Sequence, residues 1–130
     1  MVIGNCAAFH NTHANIAYLR QFREHLPDLP VVIELRNGDW LKPESFALLR
    51  ELSFGFCCVD EPRLTGLVPP VAEATAEIAY VRFHGRNAQK WWEHKEAYER
   101  YAYTYAQAEL FEWLPKLQKL NAAAPTGPPL

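Results

Sequence analysis

Cysteine is scarce in this chain of 130 residues, with Cys6, Cys57 and Cys58 making an odd total of three. Neighbouring residues on a strand point to opposite faces, so the adjacent pair Cys57 and Cys58 are poor disulfide partners for each other. No C-x-x-C pair occurs, which excludes a zinc ribbon, and a reducing, cytoplasmic setting is expected. Charge of one sign is also missing: thirteen Lys and Arg stand against fifteen Asp and Glu, a formal net charge of −2. A basic stripe of the kind that wraps nucleic acid is therefore absent. No apolar run approaches the roughly 18–20 residues that span a bilayer. The opening Met-Val-Ile-Gly-Asn-Cys lacks the basic stretch and apolar core of a secretory signal, so a soluble protein is expected. What is present is a globular composition, 49% hydrophobic and 22% charged, with four Trp, six Tyr and seven Phe. That is material for one core, and the length suits one domain.

Three short segments read as strands: 31–36, 55–60 and 79–84. Each is dense in β-branched or aromatic residues and ends in polar residues and turn formers. Met1-Val2-Ile3 offers the stub of a fourth. Between and after them lie helical patterns. Residues 13–26 carry Ile16, Leu19, Phe22 and Leu26 at helical spacing before Pro27 stops the run. Pro43 suits a first helical position, and Phe46, Leu49 and Leu52 follow it on one face. Thr104 with Gln107 fits a capping box, opening a helix that Pro115 should kink or end early. Residues 61–78 are too proline-rich for a full helix and predict a long loop with a short helical turn near 73–76. Strand centres recur about every 24 residues, as in βα units, which form parallel sheets. The fold class expected is α/β: partial barrel-like parallel βα units of three to four strands, over residues 1–120, with a disordered tail over 121–130.

Alternation along a strand divides its residues between two faces. Val31, Ile33 and Leu35 oppose Val32, Glu34 and Arg36. Phe56, Cys58 and Asp60 lie together, and Val81 and Phe83 oppose Tyr80, Arg82 and His84. Each strand has an apolar face, and charge appears toward the carboxyl ends. A parallel sheet buried under helices should read as nearly continuous apolar sequence, and unpartnered charges there would cost several kcal/mol each. A barrel resolves the conflict, with apolar residues turned outward to a helix ring and Glu34, Arg36, Asp60, Arg82 and His84 converging at the inner top, where barrel active sites sit. The purely structural alternative is a buried ion-pair network, Glu34 with Arg36 or Arg82 and Asp60 with His84.

Beyond the strands come His84-Gly85-Arg86-Asn87, the pair Trp91-Trp92, and the ladder Tyr98-Glu99-Arg100-Tyr101-Ala102-Tyr103-Thr104-Tyr105. The ladder reads either as packed loop aromatics with Arg100 bridged to Glu99 or Glu109, or as a lid facing a ligand. His13, His25 and His94 read as solvent-exposed. Cys57 and Cys58 read as core fillers, and Trp40 and Trp113 as packing anchors.

The runs Val-Val-Ile-Glu-Leu-Arg-Asn-Gly-Asp-Trp (31–40), Val-Asp-Glu-Pro (59–62), Tyr-Val-Arg-Phe-His-Gly-Arg-Asn (80–87) and Glu-Arg-Tyr-Ala-Tyr-Thr-Tyr (99–105) with Glu109-Leu110 resemble the domain-of-unknown-function 72 family, also called YecE-like. Ala8-Phe9-His10-Asn11-Thr12 resembles a stretch preceding a helix in some members. The resemblance implies a TIM-barrel-like fold and no established reaction. It places the family's characteristic polar residues at Glu34, Arg36, Asp60, Glu61, Arg82, His84, Arg86, Asn87, Arg100, Tyr101 and Tyr103. The glycine-rich first strand with its early Trp and Tyr, and a later strand with paired asparagines, have no counterpart here. A closed eight-stranded barrel takes about 200–250 residues, so this chain is expected to supply part of one.

Four functional readings follow. In the first, an enzyme or the remnant of one holds a small anionic or polyhydroxy ligand. Its catalytic residues are His84, Glu34 and Asp60, its ligand-binding residues Arg36, Arg82, Arg86, Asn87, Arg100, Tyr101 and Tyr103, and it needs no metal or cofactor. In the second, His84, Asp60, Glu34 and His10 ligate a metal for hydrolysis, against which two arginines share the face. In the third, Trp91, Trp92 and the tyrosines stack single-stranded nucleic acid beside Arg86 and Arg100, against the acidic total. In the fourth, the chain is an inactive truncated fragment. An incomplete barrel leaves two open sheet edges, so pairing with a second copy or with a missing half-barrel is expected.

Overall fold

The computed structural model describes the backbone of residues 2–4 and residues 8–123. Four strands alternate with helices. β1 (Val2–Gly4) is followed by α1 (His13–His25), β2 (Val31–Glu34) by α2 (Pro43–Glu51), and β3 (Phe54–Asp60) by a long loop into β4 (Tyr80–Phe83). Three short helices close the described chain: α3 (Ala88–Trp92), α4 (Gln107–Phe111) and α5 (Leu114–Ala123). The strands lie in the order β1-β2-β3-β4, and every pair is parallel. This is a partial βα-barrel-like fold, and the expected fourth strand is present. No helix among the described residues is long and apolar enough to cross a membrane.

Local chemistry sets these boundaries. Thr12 caps α1, its Oγ1 accepting from the Asn15 N–H at 3.1 Å, so the run 8–12 does precede a helix. Pro43 opens α2, where its missing N–H costs nothing. Of the two effects expected ahead of Pro115, the helix ends early rather than kinking: α4 stops at Phe111, the chain turns at Glu112 and Trp113, and Pro115 occupies the first turn of α5, where a proline is tolerated. Two other expectations shift. α4 is capped two residues later than Thr104, at Ala106, where Glu109 reaches back to the Ala106 N–H at 2.8 Å. Residues 73–76 form no helical turn, because Thr75 spends its hydroxyl on the Phe54 carbonyl at 2.6 Å and ties the loop to the sheet. α5 runs to Ala123, past the expected start of the tail at 121. Residues 124–130 and Cys6 lie outside the described residues.

Register turns strand alternation into two faces of one sheet. Ile33 pairs with Phe56, Val59 with Arg82, and Asp60 with Phe83. Neighbours in register share a face, so Ile33, Phe56, Cys58, Asp60 and Phe83 line one side. On that side Leu19, Leu48, Leu49 and Leu120 from the helices, with Trp113 from the turn before α5, pack with Val31, Ile33, Leu35, Phe54, Phe56 and Cys58 in the main core. The other side holds a smaller cluster of Val32, Cys57, Val59 and Val68. Glu34 and Arg82 stand on that second side. All seven residues of β3 are buried, whereas β4 is half-exposed. Cys57, Cys58, Trp40 and Trp113 are core residues as expected. His13 and His25 are exposed, but His94 is half-buried and its Nδ1 lies 3.0 Å from the Lys90 carbonyl.

Candidate functional site

Glu34, the last residue of β2, is 1% exposed, and both of its oxygens are occupied. Oε1 accepts from Arg82 Nη1 at 2.7 Å, and Oε2 accepts from Arg36 Nε at 3.1 Å. His84 Nε2 lies 2.9 Å from the same Oε2. Burial disfavours the Glu34 carboxylate. The His84 hydrogen bond and the Arg36 and Arg82 charges outweigh it and hold the group at about 2. The result is one buried anion that fixes two guanidiniums and an imidazole at the carboxyl end of the sheet. Arg36 also neighbours the Tyr101 hydroxyl.

Arg82 and His84 line a groove of about 320 Å³ with Phe83, Gly85, Tyr101 and Tyr103, and Tyr105 completes its wall. Gly85 is required at the turn. Its φ is +92°, and a Cβ there would sit 2.8 Å from Tyr103 Cβ. The Arg82 side chain is 41% exposed, so it reaches the groove while one of its nitrogens stays on Glu34.

Asp60 is not part of this cluster. It was expected on the charged face, but its register with Phe83 puts it on the helix-covered face. There Arg86 donates to it twice at 2.8 Å, Tyr105 at 2.9 Å and Trp113 Nε1 at 2.7 Å. The expected Asp60–His84 side-chain pair does not form, and what joins them is the His84 N–H donating to the Asp60 carbonyl at 2.8 Å. The Asp60 carboxylate fastens the loop after β4 and the turn between α4 and α5 to the end of β3.

Other expected ligand residues are also committed. Arg86 binds Glu109 and Glu112 in addition to Asp60. Asn87 caps α3 through its Oδ1 and donates Nδ2 toward the Glu99 and Ala102 carbonyls. Arg100 pairs with neither Glu99 nor Glu109. Its Nε donates to the Trp91 carbonyl at 2.9 Å, and its guanidinium lies over the Trp91 and Trp92 rings. Tyr103 lines the groove but donates its hydroxyl to Glu109 at 2.6 Å. Trp91 is buried, which leaves Trp92 as the exposed member of that pair. His10 lies away from the cluster and pairs with Asp39 at 3.0 Å. Among the described residues no three His, Cys, Asp or Glu side chains converge as a metal site would require.

Glu61 takes the place Asp60 was expected to hold. It is 4% exposed, its Oε1 accepts from the Val68 N–H at 3.0 Å, and it feels the charges of His84, Glu34 and Arg36. Burial raises it above the ordinary carboxyl value. Strand parity carried the signal: Glu61 is two residues beyond Val59, which pairs with Arg82.

Most of the chain has counterparts among solved structures. A DUF72 family protein of Thermotoga maritima superposes with a TM-score of 0.87 at 35% identity, over 93% of this chain and 45% of that one. A DUF72 family protein of Enterococcus faecalis gives 0.83 at 32%, over 95% of this chain and 49% of that one. The UPF0759 protein YunF of Bacillus subtilis is 35% identical over 117 residues, 42% of its length. The chain thus spans somewhat under half the length of the relatives it matches. The family model described as "Protein of unknown function DUF72" matches residues 6–127, and the chain belongs to that family.

Proposed function

We propose that the chain binds a small anionic or polyhydroxy ligand at the carboxyl ends of β2 and β4, as an enzyme or the remnant of one. The observation that carries this reading is the buried Glu34 carboxylate holding Arg36, Arg82 and His84 together beside a groove. A salt bridge that only stabilised the fold would need one cation, and a second, half-exposed guanidinium gains little from it. Two guanidiniums with free N–H groups and a planar fork suit phosphate or carboxylate oxygens. Tyr101 and Tyr103 supply aromatic walls of the kind that pack a sugar or a planar ligand. His84 can exchange a proton with a ligand at the groove while Glu34 orients its ring. Asp60 and Arg86 act at one remove, by fixing the loop that follows His84.

Thermal-shift titration with inorganic phosphate, malonate and ribose 5-phosphate tests the reading. At least one of these should raise the melting temperature of the native chain, Arg82→Ala should remove the shift, and Arg82→Lys should restore part of it. No shift with any of the three, or a shift unchanged in Arg82→Ala, would sink the proposal.

A further inference from the structure

On the basis of the anion site proposed above, we infer that the site takes up its anion together with one proton, held by Glu61 beside His84. Asp60 pairs with Phe83 in register, and the His84 N–H donating to the Asp60 carbonyl at 2.8 Å continues the ladder. Glu61 therefore comes level with His84 on the same face, about one strand spacing away, roughly 4.8 Å between backbones. Both are buried, Glu61 at 4% exposed and His84 at 7%. His84 lines the groove, whereas Glu61 does not. Glu61 thus acts on a ligand through its neighbours and through the charge of the cluster, as a positioning residue.

The cluster has no cation committed to a second carboxylate. Arg36 and Arg82 both donate to Glu34. Glu61 Oε1 accepts from the Val68 N–H at 3.0 Å, and Oε2 has no hydrogen-bond partner among the described residues. His84 from the end of β4, and Glu34 and Arg36 from the end of β2, are the charged or titratable groups that face it. Arg82 lies beyond them on Glu34, and the exposed Arg63 turns its Nη1 to the Glu61 carbonyl at 2.9 Å. Asp60 and its partner Arg86 belong to the other face. A buried carboxyl without a cation favours its neutral form. Here burial and the Glu34 charge outweigh the Val68 N–H, His84 and Arg36, and raise Glu61 above the ordinary carboxyl value. Charge then decides what the groove attracts. With Glu61 neutral, two guanidiniums against Glu34 leave a positive charge for an anion, and with Glu61 ionised that charge is cancelled. An anion in the groove therefore favours the proton on Glu61, and by linkage the proton favours the anion.

Sulfate titrations followed by thermal shift, from about pH 5 to about pH 9, are the test, because sulfate keeps its own charge over that range. Affinity in the native chain should weaken toward alkali by up to about tenfold per pH unit, the limit for one linked proton. Glu61→Gln keeps an acceptor for the Val68 N–H and stays neutral, so it should bind sulfate at the alkaline end as the native chain does in acid. A pH dependence equally steep in Glu61→Gln assigns the proton to His84 and overturns the inference, as does a native affinity that is flat with pH. Absence of any sulfate shift also overturns it, since anionic charge is all the coupling requires. If phosphate, malonate and ribose 5-phosphate fail as well, the anion site itself is lost. Should Glu61→Gln not fold, carboxyl 13C NMR of the native chain decides: the Glu61 resonance should titrate above those of exposed glutamates and move further up with sulfate. A Glu61 midpoint that sulfate leaves in place overturns the coupling.

Discussion

At the scale of single residues, the two carboxylates that end β2 and β3 have separate tasks although both read as active-site candidates in the sequence. Glu34 gathers groups that border a groove, whereas Asp60 has every lone-pair direction filled by Arg86, Tyr105 and Trp113. Alternation within a strand assigns parity but not which parity faces the helices. That needs the register with the neighbouring strand, which is why Asp60 is misplaced by alternation and Glu61 is named by the resemblance alone and left out of the catalytic and ligand-binding sets. The correction has a measurable consequence. Asp60→Ala leaves the Trp113 N–H and one side of Arg86 buried without a partner, and breaking such a buried pair costs about 3–5 kcal/mol. Urea unfolding should show a loss toward the lower end, because Arg86 keeps Glu109 and Glu112. A loss under about 1 kcal/mol, the worth of an ordinary hydrogen bond, would show that the cluster does not hold the loop.

At the scale of elements, what was legible was whatever a local pattern dictates. The three strands were placed to within two residues, the proline-led helix to its first residue, and α1 from Leu19 and its neighbours. What was not legible depends on partners distant in sequence. The turn near 73–76 gives way to a loop because Thr75 finds Phe54, and the cap at Thr104 loses to Ala106 because Glu109 closes the first turn from within. Asn87 enters the ligand set through the resemblance, and Arg100 through the resemblance and the lid reading of the tyrosine ladder, but each is engaged by the loop it stabilises. Gly55 shows the same dependence inside a strand. It pairs with Val32, and a Cβ there would lie 2.9 Å from the Ile78 carbonyl and 3.1 Å from Val32 Cγ2. The loop entering β4 therefore packs directly on the β3 backbone. Gly55→Ala should destabilise the chain by about 1–3 kcal/mol, as overpacking does, in urea unfolding, and β4 amides should exchange faster than β2 amides. A neutral substitution would mean that the 61–79 loop yields freely.

At the scale of the whole molecule, the buried charges make stability a function of pH, and their signs can be worked out. Glu34 is held at about 2 against an ordinary 4.5, and Asp60 is also lowered, since its donors outweigh the burial that would raise it. A carboxyl with a depressed folded value binds fewer protons folded than unfolded. Its contribution is therefore present above the ordinary value and is lost as pH falls toward the folded one. For Glu34 that window runs from 4.5 down to about 2, and the shift corresponds to about 3 kcal/mol. Glu61 works in the opposite sense, because burial raises it: its contribution is present in acid and is lost as pH rises past the ordinary value. The two partly offset each other near neutrality, so the acid limb should be governed by Glu34 and Asp60. Urea midpoints measured from pH 7 to pH 2 should fall steeply below about pH 4.5 in the native chain. Glu34→Gln should be less stable at pH 7, where Arg36 and Arg82 lose their counter-charge, and should decline with a shallower slope. Parallel curves for the two proteins would show that Glu34 is not ionised more readily folded than unfolded, and would remove the fixed buried anion on which the placement of Arg36, Arg82 and His84 depends.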